Sequence, residues 1–290
     1  MTYDVALADR AYSSWSLRGW LLFEKFGLPA RYRFGRLYTD QFPSMLADFM
    51  PAKTVPVMRT PDGIVVPESL AIAEELHSRH PDAGLWPIDT KARAIARVLT
   101  TEMHAGFASL RNSCPMNLRV SYSNYSPDEA VQLDLRRLET LWDWARSEVP
   151  SEGPWLCGNY SVADAFFAPV AGRIAGYRLQ LSTSAQAYVD AHLQDTSFRQ
   201  WRAMALVDGP DQPTYKRDLE TTQWPGPTPL AAVATCQDHA ENDKCPYSGK
   251  PNTDYLDMNG RVFGFCNAFC RDKTAADPEA WPQFMDLHNS

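Results

Sequence analysis

Residues Thr54-Val55-Pro56-Val57-Met58 and Val65-Val66-Pro67-Glu68-Ser69 flank an Asp62-Gly63 pair, and residues of these types in this order can hold a small peptide. Two short apolar runs around Asp-Gly predict a β-hairpin. Glu68-Ser69 then opens a helical pattern of Leu70, Ile72, Ala73 and Leu76. That places two polar side chains and unpaired backbone N–H groups at a helix N-terminus, where a carboxylate is favoured. Pro56 has no N–H to give to a sheet ladder, so it is either an edge residue or a cis-proline whose neighbour turns its backbone toward a ligand. A peptide laid beside Val55 finds backbone partners there. A second polar set, Tyr12-Ser13-Ser14-Trp15-Ser16-Leu17-Arg18, stands between the apolar run Val5-Ala6-Leu7-Ala8 and a helix-like stretch ending at Gly27. Hydroxyls at such a turn can cap the helix or donate to a bound anion.

Taken together, these residues resemble the cytosolic glutathione S-transferases, in particular the zeta-type and related bacterial members with a Ser-Ser-x-Ser motif. The resemblance covers roughly the first two-thirds of the chain. It implies a thioredoxin-like α/β N-terminal domain, an all-α C-terminal domain, glutathione as co-substrate, a small electrophilic second substrate and a homodimer. By position in the motif, Ser13 matches the residue that steadies the glutathione thiolate, with Ser14 next in line and Ser16 in the same glutathione-binding turn. Val55-Pro56 matches the cis-proline segment that pairs with the cysteinyl backbone, and Glu68-Ser69 the pair that holds the γ-glutamyl end.

The chemistry implied is activation of a thiol, which in free cysteine ionises near pH 8.5. A serine hydroxyl donating to the sulfur, beside the N-terminal end of a helix over Ser16 to Phe26, favours the anion. Each unit of lowering needs about 1.4 kcal/mol of preference for the thiolate. No cysteine occupies Tyr12 to Arg18, so a mechanism with a protein thiol at that turn is disfavoured. Conjugation to an electrophilic carbon, or cis-trans isomerisation of a maleylacetoacetate-type substrate, is expected instead. A non-catalytic glutathione-binding or metal-handling protein is the rival reading.

The elements that must position these residues follow from the pattern. Up to about Pro81 the order reads strand, helix, strand, helix, strand, strand, helix, with Gly27 as a helix C-cap, giving a glutathione-binding domain over 1–82. From Lys91 the text becomes helical. Val131, Leu135, Leu138, Trp142 and Ala145 recur at spacings of four, three, four and three, which puts them on one face. Ser161-Val162-Ala163-Asp164 predicts a capping box opening a buried helix. The helical domain spans 91–205, a proline-rich linker 206–235, and a small cysteine-containing unit 236–290.

The electrophile's pocket is expected between the first two domains. Thr101 to Arg111 resembles the first long helix of the transferase C-terminal domain, which borders that pocket and often the dimer interface. Met103, Phe107 and Leu110 fall on one helical face with Arg111 alongside, and Tyr12 and Trp15 are candidates from the facing turn. Met103 and Phe107 can equally be core residues. Arg111 suits a substrate carboxylate or an acidic neighbour such as Glu102, while His104 reads as a helix-surface residue.

Four of the six cysteines fall near the C-terminus: Cys236, Cys245, Cys266 and Cys270. Cys266-Asn-Ala-Phe-Cys270 sets two thiols on one side of a helical turn, and Cys245 lies 21 positions earlier. Such thiols suit a tetrahedral soft-ligand site, with zinc the default metal, although a remnant core of small apolar thiols fits the same residues. The run Cys245-Pro-Tyr-Ser-Gly-Lys, with Gly260 to Cys266 and Asp277-Pro278-Glu279, is similar to the YHS and TRASH-type metal-binding modules. It departs from the fullest pattern at Ser248, where a second cysteine often stands. A fourth ligand then comes from Cys236, His239 or solvent, or the metal is lost. Cys114 and Cys157 read as plain buried residues.

Composition agrees with this picture. The 290 residues carry a formal net charge of −7 and a pI near 5.4, which disfavours a nucleic-acid partner. The first residues lack a basic start, and no apolar run approaches the roughly 18 residues of a membrane helix. A cytoplasmic protein with no membrane partner is expected, in which disulfides are disfavoured.

Overall fold

The central strand β1 (Tyr3–Ala8) is buried at almost every position, as its near-continuous apolar sequence requires. It runs parallel to β2 (Ala30–Gly35) and antiparallel to β3 (Val57–Arg59), which pairs antiparallel with β4 (Val65–Pro67), giving the order β2-β1-β3-β4. The computed structural model describes residues 2–290. Helix α1 (Ser14–Glu24) makes the crossover from β1 to β2. Its regular bonding stops at Glu24. Gly27, at φ +64°, then turns the chain in the left-handed region glycine tolerates, and the Leu28 N–H returns to the Phe23 carbonyl at 3.0 Å. Helix α2 (Gln41–Leu46) precedes β3, and α3 (Ser69–Arg79) follows β4.

The register decides where the site forms. Ala6 pairs with Val57, and Val57 with Pro67. The end of β1, the start of β3 and the end of β4 therefore lie at one edge of the sheet. The segments Tyr12–Ser16, Val55–Pro56 and Glu68–Ser69 leave the sheet at that edge. Ala6, Leu46, Phe49, Ala52 and Val57 form a buried cluster against Phe42, Met45, Val55 and Val65. A Cβ on Gly19 of α1 would come within 2.5 Å of the Pro56 Cβ, so the bare backbone at Gly19 lets α1 close onto the Val55–Pro56 corner.

The helical part consists of α4 (Thr90–Ala105), α5 (Ala108–Ser113), α6 (Glu129–Glu148), α7 (Val162–Tyr177) and α8 (Thr183–Gln194). The α6 face predicted from spacing is buried, with Leu141 added. Helix α7 is buried at every residue and packs on both α1 and α4. Its capping box forms: the Ser161 N–H donates to Asp164 Oδ2 at 2.9 Å, and the Tyr188 hydroxyl donates to Oδ1 at 2.8 Å. A short ribbon pairs β5 (Ser121–Tyr122) with β6 (Thr221–Thr222).

The chain divides into two compact units, and the division departs from the linear boundaries expected. Residues 212–225 belong with the first unit, and residues 194–211 with the C-terminal one. The first part of the expected linker is therefore not a free spacer. The Gln212 amide donates to Asp9 at 3.2 Å and to the Leu37 carbonyl at 3.0 Å, β6 pairs with β5, and Arg178 holds the Gln223 carbonyl.

The second unit contains α9 (Thr196–Val207), β7 (Val233–Thr235), β8 (Asp254–Met258), β9 (Arg261–Phe265), α10 (Ala268–Ala276) and α11 (Pro282–His288). β8 and β9 form a hairpin whose Asn259-Gly260 turn has φ of +58° and +79°, the combination a two-residue turn needs. Phe263, Phe265 and Phe284 form its core. Arg199 of α9 grips Asp277 through two bonds of 2.9 and 2.7 Å, and Gln200 donates to the Ala280 carbonyl. Those bonds explain why α9 joins the C-terminal unit.

Candidate functional site

A cleft of about 580 Å³ opens in the first unit, bordered by the Tyr12–Trp15 and Thr54–Val55 segments, while Ser16, Pro56, Glu68 and Ser69 are not among its lining residues. Tyr12, Ser13, Ser14, Trp15, Thr54 and Val55 line one side, and Arg111, Asn112, Met116, Arg173, Tyr215 and Arg217 are among those opposite. Three guanidinium groups thus line the cleft, and among the described residues no carboxylate does.

The two adjacent serines differ in what their hydroxyls do. Ser13 caps α1. Its Oγ accepts from the Ser16 N–H at 3.2 Å and donates to Ser16 Oγ at 2.7 Å, and Ser16 Oγ in turn accepts from the Ala8 N–H at 2.8 Å. Ser13 and Ser16 are both buried and bound to each other. Ser14, half-buried at the first residue of α1, instead accepts from Arg173 Nη2 at 3.3 Å. Ser14 lines the cleft at the start of α1, where the first N–H groups of a helix have no partner within it.

Arg173 is held by α7. Its Nη1 donates to the Cys114 carbonyl and, at 3.2 Å, to the Arg111 carbonyl. Burial, with Arg111 close by, pulls its guanidinium down to about 10, which leaves it charged at neutral pH. Arg111 is half-buried over the Trp15 ring at 5.1 Å and donates to the carbonyls of Met103 and His104. Glu102 pairs with Arg137 at 2.6 and 2.9 Å, so it does not neutralise Arg111. Behind them Arg18 is buried between the Trp15 and Phe166 rings, with Nε and Nη1 lacking partners. Burial and the two arginines push it well below its ordinary value.

The other predicted residues stand at the same sheet edge. The Val55–Pro56 peptide bond is cis. Glu68 has φ +70°, a conformation that costs a non-glycine residue on the order of 1–3 kcal/mol. Ser69 begins α3 fully buried, and its Oγ has no hydrogen-bond partner. A buried hydroxyl left unsatisfied is costly, and a ligand carboxylate at this helix N-terminus would satisfy it.

Met103 and Phe107 do not line the cleft. They are 1% and 6% exposed and belong to the core. The single helix expected over Thr101 to Arg111 breaks at Gly106. Its Cβ would meet the Glu102 carbonyl at 2.8 Å, and Phe107 sits at φ +60° before α5 begins. Arg111 consequently leaves the Met103 face and reaches the cleft. His104 is half-buried with its ring 5.3 Å from that of Trp15, and burial lowers its pKa.

Sequence reasoning did not reach Arg173, although a lone basic residue in the apolar run Val162–Tyr177 is a signal in itself. Tyr215 and Arg217, from the proline-rich segment, carry no local signal. They arrive because Gln212 anchors that segment, its N–H donating to the Tyr12 hydroxyl at 3.2 Å, while the Tyr12 and Tyr215 rings pack at 4.8 Å.

In the C-terminal unit the sulfurs of Cys245, Cys266 and Cys270 lie within 4.8 Å of one another. Cys236 is exposed and does not join them. Burial alone would raise the Cys245 thiol. The backbone N–H groups of Cys266 and Tyr247, together with the Ser248 hydroxyl and N–H, outweigh that and bring it down to about 7.

With this geometry in view, residues 12–79 match the family model "Glutathione S-transferase, N-terminal domain". The chain is 35% identical over 103 residues to the probable maleylacetoacetate isomerase of Caenorhabditis elegans, covering 36% of this chain and 47% of that protein. It is 27% identical over 151 residues to maleylacetoacetate isomerase of Rattus norvegicus, covering 51% and 64%. The matched segments thus span 47% and 64% of the length of these curated relatives. Among solved structures, a glutathione transferase homolog from Burkholderia gl BGR1 with bound glutathione superposes with a TM-score of 0.54 at 21% identity, over 72% of this chain and all of that one. Apo human glutathione-S-transferase T1-1 gives 0.51 at 20%, over 73% and 94%. The fold is that of the glutathione transferases: a thioredoxin-like α/β domain followed by a helical one, here with additional C-terminal strands and a cysteine cluster.

Proposed function

We propose that the chain binds glutathione in the cleft and activates its thiol against an electrophilic carbon of a small acidic substrate. When bound, glutathione supplies a sulfur nucleophile that either stays on the substrate as a conjugate or leaves again after rotation about the former double bond. The observation that carries this reading is the contact between Arg173 and Ser14 at the start of α1. A guanidinium donating to Ser14 Oγ withdraws charge from the hydroxyl and leaves its proton to be given to a sulfur anion.

The other residues take complementary roles. Ser69 and the strained Glu68 receive the γ-glutamyl end, and the backbone at Val55 receives the cysteinyl unit. Ser13 and Ser16 hold the turn in shape, and in this reading Ser14 rather than Ser13 meets the sulfur. Arg111 and Arg217 face the electrophile's side of the cleft, where a guanidinium pairs well with a carboxylate. The absence of any lining carboxylate among the described residues favours an anionic substrate, which suits isomerisation of a maleyl-type acid over conjugation of a neutral electrophile. The relatives named maleylacetoacetate isomerase support the same direction.

We further infer a homodimer in the reducing cytoplasm, a compartment that suits six free cysteines. No described helix is long and apolar enough to cross a membrane. For the C-terminal unit we infer a YHS/TRASH-like module that holds zinc. Its all-sulfur donor set is the chemistry that metal accepts, and metal handling is the second reading this cluster favours.

The test is turnover of a maleyl-type acid and of a neutral aryl halide, each with glutathione. Arg111→Gln should raise KM for the acid and leave that for the neutral electrophile unchanged. Equal effects on both, or no turnover of either, would contradict the acidic-substrate reading.

A further inference from the structure

The three thiols of the C-terminal unit are placed for a metal but do not complete a tetrahedron. Cys245 is buried in the turn before β8, Cys266 follows β9, and Cys270 lies in the first turn of α10. Metal–sulfur bonds of about 2.3 Å require sulfurs about 3.8 Å apart in a tetrahedral site. Cys266 and Cys270 already stand at 3.9 Å, and all three sulfurs fall within 4.8 Å. Small side-chain shifts suffice to bring them onto one ion.

The surroundings compensate the charge of three thiolates. Asn267 Nδ2 donates to Cys266 Sγ at 3.3 Å, and its Oδ1 accepts from the Cys270 N–H at 2.8 Å, which fixes the loop carrying both sulfurs. Lys273, buried one turn further along α10, keeps its ammonium 3.6 Å from the Trp281 ring centroid and 3.9 Å from that of Tyr247. Three thiolates on a divalent ion leave one negative charge, and Lys273 is the cation on the helix that carries Cys270.

Ser248 stands on the exposed side of the cluster. Its hydroxyl donates to Cys266 Sγ at 3.1 Å. Ser248 is exposed and so is Asn267. That side of the cluster therefore faces solvent.

We propose that Cys245, Cys266 and Cys270 form a three-thiolate site for a thiophilic divalent ion, whose fourth coordination position lies at Ser248 and is open to an exogenous thiol. This deepens the zinc reading of the unit and rests on it. Binding breaks three S–H bonds, forms three metal–sulfur bonds, releases three protons and changes no oxidation state. A water in the fourth position is replaced by a thiolate, whose proton goes to solvent. An all-sulfur donor set selects thiophilic ions over magnesium or calcium. An open position makes the site a point of ligand exchange rather than a closed structural clamp.

The test is Co²⁺ titration of the 290-residue chain, reduced with a phosphine so that no competing thiol is present, followed by its visible and sulfur-to-metal charge-transfer bands. The expected result is one ion per chain, with bands lost in Cys266→Ser. Millimolar 2-mercaptoethanol should shift the wild-type spectrum. Ser248→Cys, which adds a fourth sulfur, should bind Co²⁺ at least an order of magnitude more tightly and no longer respond to added thiol. A wild-type spectrum unmoved by thiol, or a Ser248→Cys affinity equal to wild type, would overturn the open position while leaving the metal reading intact. Absence of Co²⁺ binding to the wild type would overturn both.

Discussion

Arg173 Nη2 donates to Ser14 Oγ at 3.3 Å across 159 positions of sequence, joining the most buried helix of the first unit to the turn that opens the cleft. In the proposed scheme the arginine acts on the thiol through the serine. Replacing Arg173 with methionine should therefore leave glutathione bound through Val55, Glu68 and Ser69 while raising the pH at which turnover half-develops. A hydrogen bond to a charged group contributes about 1.5–3 kcal/mol, so kcat at neutral pH should fall about 10–100-fold with a smaller change in glutathione KM. Arg173→Lys, which keeps the charge, should recover part of the rate. A pH–rate profile identical to wild type would remove Arg173 from the activation scheme.

Ser69 offers a test in which stability and binding move in opposite directions. Its hydroxyl is buried with no partner, so Ser69→Ala should leave the ligand-free protein equally stable or more stable, by up to about 1 kcal/mol. If Ser69 donates to the γ-glutamyl carboxylate as proposed, the same change should weaken glutathione about tenfold, or about 1.4 kcal/mol. Thermal melts with and without glutathione read both. Unchanged affinity in the variant would mean the peptide is held elsewhere.

A pH dependence of stability follows from His192. It is buried against Trp155 and Tyr188, and desolvation, aided by Lys25, brings it down to about 3. The unfolded chain, with an ordinary histidine near 6.5, therefore binds more protons between pH 6.5 and 3. Stability contributed by neutral His192 is fully present above pH 6.5 and declines as the pH falls, by about 1.4 kcal/mol per pH unit. Burial raises the Asp164 carboxyl, which acts in the opposite sense, so the comparison must isolate His192. Urea unfolding at pH 7 and pH 5 should show a loss of about 2 kcal/mol in the wild type that is largely absent in His192→Phe. An equal loss in both proteins would assign the acid sensitivity to other groups.

What was legible in the sequence was local. The Asp62-Gly63 hairpin, the capping box at Ser161 and Asp164, the α6 face and the three polar segments of the sheet edge each rest on neighbouring residues, and each formed. What was hidden depended on distant partners. Gly106 breaks the helix between Met103 and Arg111, which turns two expected pocket residues into core. Gln212, bonded to Asp9 and Leu37, brings Tyr215 and Arg217 to the cleft from a segment that reads as a linker. The Arg199–Asp277 pair transfers α9 to the C-terminal unit. The different hydrogen bonding of Ser13 and Ser14 was also invisible, because it depends on Arg173 and on the Ser13–Ser16 bond, not on the motif.

The most direct measurement is the near-ultraviolet absorbance of bound glutathione thiolate against pH in the wild type, Ser13→Ala and Ser14→Ala. The account predicts a thiolate titrating well below the free value of about 8.5 in the wild type, a return toward that value in Ser14→Ala, and a smaller change in Ser13→Ala. An undepressed thiol in the wild type, or a loss confined to Ser13→Ala, would contradict it.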